Sequence, residues 1–211
     1  MLFSNKIIRS FVDLPDFTSL IIHSVGCNLH CYKCFNYEPL VEHPADTCQP
    51  EELLEKIQRV GNLSDAIIIS GGEFLSNKTE DIIHFIQQLK LFYHGFVIIN
   101  TNGCFPDKMK LIGNLVDGFH TDMKLPFYCI DIDIDRDIMQ MVLGKVIDPN
   151  IVLESIEYTI QSDNGYSQIR SVDYDLFEDD TFTENKKYID SLNQKYNKNT
   201  PYYVNKLLKT S

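Results

Sequence analysis

Leu20-Ile21-Ile22-His23-Ser24-Val25-Gly26-Cys27-Asn28-Leu29-His30-Cys31-Tyr32-Lys33-Cys34 carries the decisive pattern of this 211-residue chain. A short β-prone run stops at Gly26, and three cysteines with C-x3-C-x2-C spacing follow at once. Working outward, apolar runs and helical periods alternate. Pro50–Ile57 reads as a helix start, with Pro at the first turn and acids near the dipole's positive end. Asp65–Ser70 is a buried strand stopped by Gly71-Gly72, and Thr79–Tyr93 has helical apolar spacing. Phe96–Ile99 is a strand, Asp107–Leu115 a helix, and Gly118–Lys124 a strand. Asn150–Ile160 reads as a helix, Tyr166–Val172 as a strand, Thr183–Tyr196 as a polar helix, and Tyr202–Val204 as a last, edge-like strand. Strands that are apolar throughout and separated by helices form a parallel sheet covered on both faces. The expected fold is α/β: a partial, open barrel of six βα units in a single domain over residues 1–211. In such folds sites are built where strands end. Cys27, Glu73, Asn102, Asp122 with Lys124, and Arg170 all fall at or near such ends.

Composition narrows the classes. The chain has 19 basic and 30 acidic residues, a formal charge of −11, which argues against an extended nucleic-acid footprint. The longest apolar runs are far too short to cross a bilayer, and Met1–Lys6 has no secretory h-region. A cytoplasmic protein, with neither nucleic-acid nor membrane partners, is expected. Three of the six cysteines fall within eight residues, which in a cytosolic chain points to metal or redox chemistry. Zinc sites usually pair C-x2-C knuckles with a fourth ligand. Three close thiolates instead suit an iron–sulfur cubane with one iron left open, and zinc is the alternative.

C-x3-C-x2-C after the first apolar strand resembles the signature of the radical S-adenosylmethionine (SAM) enzymes. The resemblance implies a [4Fe-4S] cluster on Cys27, Cys31 and Cys34 whose free iron binds SAM. One electron then cleaves SAM to methionine and a 5′-deoxyadenosyl radical. Ser70-Gly71-Gly72-Glu73-Phe74 resembles the family's Gly-Gly-Glu-Pro motif, with Phe74 in place of Pro. It implies that Gly71, Gly72 and Glu73 receive the SAM ammonium group. Lys33 stands where the family has an aromatic residue that seats adenine.

Asn100-Thr101-Asn102-Gly103 and His120-Thr121-Asp122-Met123-Lys124 resemble two motifs of glycyl-radical-enzyme activases. They imply Asn102 and Lys124 on SAM, and Thr101 with Asp122 around a monovalent cation. Asn100 stands where the motif has Asp. Ile169-Arg170-Ser171-Val172 resembles an activase strand that brings Arg170 and Val172 toward SAM or substrate. The opening Ile7–Pro15 and the segment Cys34–Val41 resemble activating proteins of anaerobic (class III) ribonucleoside-triphosphate reductase. The resemblance runs from Ile7 to Val172, and Asp173–Ser211 carries no recognised motif. The implied partners are the large subunit of an anaerobic ribonucleotide reductase and a low-potential electron donor such as flavodoxin. The alternative is a radical SAM enzyme acting on a small molecule, such as 7-carboxy-7-deazaguanine synthase. Cys48, Cys104 and Cys129 lack ligand spacing and read as buried or semi-buried thiols. Asp131–Asp137 begins like a calcium loop but has Arg136 at position six and Val142 at twelve, so it reads as an exposed acidic loop or a charged, exposed edge. His30 reads as a loop residue with an exposed ring.

Overall fold

Strand after strand in this chain is apolar on both faces, and the computed structural model shows what covers each face. It describes residues 1–178 and 180–207. The strands are β1 (Phe3–Ser10), β2 (Ser19–Ser24), β3 (Thr47–Cys48), β4 (Ala66–Gly71), β5 (Phe96–Thr101), β6 (Gly118–Asp122), β7 (Gln168–Asp173) and β8 (Tyr202–Lys206). The helices are α1 (Pro50–Val60), α2 (Thr79–Lys90), α3 (Pro106–Ile112), α4 (Arg136–Leu143), α5 (Pro149–Ser162) and α6 (Thr181–Tyr196). All eight strands form one open sheet in the order β3-β1-β2-β4-β5-β6-β7-β8. The six from β2 to β8 run parallel, and β1 and β3 extend the sheet antiparallel. The expected open, partial (β/α)6 barrel is therefore the observed fold.

Alternation along each strand separates two cores. Leu20, Ile22, Ile67, Ile69, Val97 and Ile99 face outward onto Leu53, Ile57, Ile82, Phe85, Met109 and Ile112 of the helices. Ala66, Ile68 and Ile98 face inward, where Leu14, Phe17 and Tyr166 join them to plug the base of the barrel. Each fully buried Ile or Leu contributes about 1.5–3 kcal/mol over its exposed state, so this dry base is the rigid part of the lumen. Above it the inward positions turn polar. His23 is level with Ser70, Asn100 with His120, and His120 with Gln168. Asn100 Nδ2 donates to Ser70 Oγ at 3.1 Å, and His120 Nε2 donates to the Tyr166 carbonyl at 3.2 Å.

Three elements differ from the sequence reading. β1 pairs antiparallel with β2, and the two-residue β3 pairs antiparallel with β1 as the added edge. The acidic stretch is a loop only as far as Asp135, whose successor opens α4; Met139, Val142 and Leu143 of that helix are buried. The run of aspartates hides a helical period that starts inside it. No described helix is long and apolar enough to cross a membrane.

Candidate active site

The C-terminal ends of the parallel strands carry the site. Gly26 follows β2, and its N–H donates to Leu40 O at 2.9 Å. The cysteine loop then runs beside the end of α4: His30 N donates to Leu143 O at 3.0 Å and Tyr32 N to Val142 O at 2.9 Å. A helix that the sequence reading missed thus holds the backbone between Cys27 and Cys34. Cys31 is buried, Cys27 half-buried and Cys34 exposed. Burial pushes the Cys31 thiol up to about 11, against the pull of the Lys124 ammonium, and raises Cys27 as well. Two N–H groups already point at Cys27 Sγ, Leu29 N at 3.4 Å and Asn102 Nδ2 at 3.9 Å. Lys33 sits in the left-handed region at φ 49°, and its ammonium lies 5.1 Å from the Tyr32 ring centroid. His30 is exposed and stacks on Tyr37 at 3.6 Å between centroids.

The end of β4 docks against this loop. Gly72 N donates to Ser24 O at 2.8 Å and Glu73 N to Gly26 O at 2.7 Å. Gly71 and Gly72 are therefore glycines first because two backbones meet there. A Cβ on Gly71 would lie 2.6 Å from Ser24 N, and one on Gly72 would lie 2.0 Å from Gly26 O.

The Glu73 carboxylate, read as an acceptor for an ammonium ligand, is only 1% exposed. Its Oε1 accepts from Leu75 N at 3.0 Å and Thr101 Oγ1 at 3.1 Å, and its Oε2 from Asn102 N at 2.7 Å. Burial pushes its pKa up to about 7, while those three donors act in the opposite direction. Glu73 ties the end of β4 to the end of β5 instead of facing the lumen.

Asn102 closes β5 and bridges to the cysteine loop. Its Nδ2 donates to Asn28 Oδ1 at 2.8 Å, and its Oδ1 accepts from Cys104 N at 3.0 Å. After β6, Lys124 Nζ meets Asp122 Oδ2 at 2.6 Å. Burial alone would lower the Lys124 pKa, but Asp122 and then Cys31 outweigh it and hold the ammonium well above its usual range. Val172 packs in the same cluster as Leu29, Cys31 and Cys104.

Thr101 and Asp122 direct their side chains to opposite faces of the sheet. Thr101 is level with Thr121, so Asp122, one residue on, lies on the opposite face of the sheet. Thr101 is committed to Glu73, and Asp122 to Lys124. Arg170 does face the lumen, level with Asp122, but its guanidinium turns toward the base. It donates from Nη2 to Asp13 O at 2.7 Å and from Nε to Gln168 Oε1 at 3.0 Å, with Asp13 Oδ1 at 3.6 Å. A buried guanidinium needs a carboxylate, and the β1–β2 loop supplied one that sequence spacing could not show.

The model of the radical SAM superfamily matches residues 21–167. This chain belongs to the radical SAM superfamily. That membership implies a [4Fe-4S] cluster and SAM. Three thiols on one loop, with two N–H donors aimed at the first sulfur, suit thiolate ligation of such a cluster. Among the described residues, no three His, Cys, Asp or Glu side chains surround a single ion-sized point.

A Methanocaldococcus jannaschii protein that bears the name of a glycyl-radical enzyme activating enzyme is 35% identical over 121 residues, covering 56% of this chain and 48% of its own length. A 7-carboxy-7-deazaguanine synthase of Methanopyrus kandleri is 29% identical over 128 residues, covering 51% and 50%. The radical SAM chain thus spans about half the length of the curated relatives it matches. Two solved structures share the fold: anSMEcpe with bound AdoMet, with TM-score 0.56, 16% identity and coverage of 87% of this chain and 49% of that one; and Escherichia coli coproporphyrinogen III oxidase, a radical SAM enzyme, with TM-score 0.52, 11% identity and coverage of 87% and 43%.

Sequence reading missed Asn28, Asp13 and α4. Asn28 lies inside the cysteine motif and Asp13 within the resembling opening, so both were in view. Only the fold gives them partners. Cys104, read as a thiol without ligand spacing, is half-buried and packs against the same cluster as Cys27 and Cys31, and burial pushes it up to about 12.

Proposed function

We propose that this radical SAM protein is a glycyl-radical activase that acts on the large subunit of an anaerobic ribonucleotide reductase. The observation that carries the reading is the 35% identity to the M. jannaschii protein named for that activity. The reductase as target rests on the motif resemblances in Ile7–Pro15 and Cys34–Val41. When bound, the [4Fe-4S] cluster and SAM supply, with one electron from a low-potential donor such as flavodoxin, a 5′-deoxyadenosyl radical that takes a hydrogen atom from a glycine.

The chain's own residues have the remaining tasks. Cys27, Cys31 and Cys34 are the cluster ligands. Lys124, neutralised by Asp122 and beside the cysteine loop, offers a fixed ammonium to the SAM carboxylate. The backbone carbonyls at Gly72 and at Gly71, which also accepts from Asn36 Nδ2 at 3.3 Å, would receive the SAM amino group, since Glu73 is closed off. Lys33 and Val172 flank the place for the adenosyl portion. The apolar base around Leu14, Ile68 and Ile98 keeps water from entering from below, which protects a reactive species. Arg170 and Asp13 set the floor of the lumen. The sheet is open between its two edge strands, β8 and β3, and that open side would admit a mobile glycine loop. Opening such a loop from its own fold taxes affinity, so the complex should be transient.

The test incubates reduced, anaerobically reconstituted protein and SAM with a candidate reductase and records an electron paramagnetic resonance spectrum. A glycyl doublet on the reductase is expected. The second reading, a deazaguanine-type synthase, is supported by the M. kandleri relative. SAM cleavage without a protein radical, together with turnover of a pterin, would establish it instead.

A further inference from the structure

Asn102 is anchored at three of its polar groups. Its N–H is held by Glu73 Oε2 at 2.7 Å, its Oδ1 by Cys104 N at 3.0 Å, and its Nδ2 by Asn28 Oδ1 at 2.8 Å. The same Nδ2 stands 3.9 Å from Cys27 Sγ. Asn102 is 7% exposed and Glu73 1%, so water does not compete freely for these groups. Glu73 is in turn fixed by Leu75 N and by the Thr101 hydroxyl. The result is a rigid line from the end of β4, through the end of β5, to the first cysteine of the loop. Hydrogen bonds to a ligating sulfur withdraw charge from it and raise the reduction potential of an iron–sulfur cluster.

We propose that Glu73 and Asn102 are a positioning pair that sets the reduction potential of the cluster, with Asn102 donating to Cys27 Sγ and Glu73 holding Asn102 in place. The proposal rests on the reading of Cys27, Cys31 and Cys34 as cluster ligands. It gives the Gly-Gly-Glu acid of this chain a role toward the cluster, through Asn102, in place of one toward SAM. Leu29 N is a backbone donor to the same sulfur at 3.4 Å, so it survives side-chain substitution and keeps the loss partial.

The test measures midpoint potential by redox titration of the reconstituted full chain, followed by electron paramagnetic resonance, with iron and sulfide counted for each variant. Asn102→Ala removes the donor. The reduced-to-oxidised ratio at a fixed potential should fall by up to about tenfold, a shift of about 59 mV to more negative values for a one-electron couple. Asn102→Asp keeps the shape and places an acceptor at the sulfur. It should shift the potential in the same direction and further, which covers the case in which the Ala variant fails to fold. Glu73→Ala frees Asn102 as well as removing a carboxylate near Cys27, so the shift it causes should differ between the wild-type and the Asn102→Ala background, because the two residues share one contact. Wild-type potential in both Asn102 variants would overturn the proposal while leaving the cluster intact. So would a Glu73→Ala shift that adds in full to that of Asn102→Ala. A wild-type chain that retains no sulfide would overturn both the proposal and the cluster reading beneath it.

Discussion

Gly72→Ala tests the docking of β4 against the cysteine loop. The new Cβ would stand 2.0 Å from Gly26 O and 2.7 Å from Gly26 C. Carbon atoms pack comfortably at about 3.5 Å or more, so the two backbones must separate by more than about 1 Å. The neighbouring hydrogen bonds, Gly72 N to Ser24 O at 2.8 Å and Glu73 N to Gly26 O at 2.7 Å, cannot survive that movement unchanged. Overpacking of this kind costs about 1–3 kcal/mol, and two hydrogen bonds add about 1 kcal/mol each. The expected loss is about 3–5 kcal/mol, a large part of the roughly 5–15 kcal/mol that holds a domain together. For a chain of this size it lowers Tm by about 6–20 °C. Gly26→Ala is the control. Gly26 has φ +90° but no atom within 4 Å of an added Cβ, so only backbone strain of about 1–2 kcal/mol applies. The assay is urea and thermal unfolding of the apoprotein, followed by iron content after reconstitution. Gly72→Ala should be the less stable of the two and should hold less iron, because Gly26 precedes Cys27. A Gly72→Ala variant as stable as Gly26→Ala would refute the steric reasoning.

Anaerobic reconstitution should give about four irons and four sulfides per chain, as cubane ligation requires. Ala at Cys27, Cys31 or Cys34 should remove the sulfide, while Ala at Cys48 or Cys129 should leave it. Lys124→Met should weaken SAM binding by about one to two decades, the worth of a hydrogen bond to a charged group; calorimetric titration with unchanged affinity would exclude Lys124 as a SAM contact. Arg170→Ala should lower stability by about 1–3 kcal/mol in urea, because Asp13 and Gln168 lose their partner. The Glu73 carboxyl, raised by burial from its ordinary 4.5 to about 7, binds protons in the folded state that the unfolded chain releases. Its contribution is therefore fully present below pH about 4.5 and lost as pH rises through about 7. Glu73→Gln should flatten that slope in unfolding measured across pH, and an identical slope in both proteins would contradict the assignment.

Much of the barrel was legible because its strands are apolar without interruption and its helices carry their own period. The run Ala66-Ile67-Ile68-Ile69 could be little else than a strand covered on both sides, and it became β4. What the pattern hid was α4, whose apolar residues Ile138, Met139 and Val142 follow a run of aspartates that reads as solvent-exposed loop. β1 was in view as a resembling segment, but its antiparallel pairing with β2 has no local signal.

The sequence by itself determined the chemistry available: three thiols at C-x3-C-x2-C spacing, and acids, amides and a lysine at strand ends. Covalent spacing along the chain is enough for that, since one loop must carry all three cysteines together. Only the tertiary structure decided what each polar group faces. Glu73 reads as a free acceptor until strand packing brings Leu75, Thr101 and Asn102 around it. Arg170 reads as a side chain directed toward SAM or substrate, and the β1–β2 loop presents Asp13 to it. Thr101 and Asp122 stand in separate motifs of the sequence, and the pleat sets their side chains on opposite faces. A buried charge or hydrogen-bonding group turns to whichever partner the fold brings within about 3 Å; beside near neighbours such as Leu75 and Gln168, the fold brings Glu73 to Thr101, 28 positions away, and Asp13 to Arg170, 157 positions away.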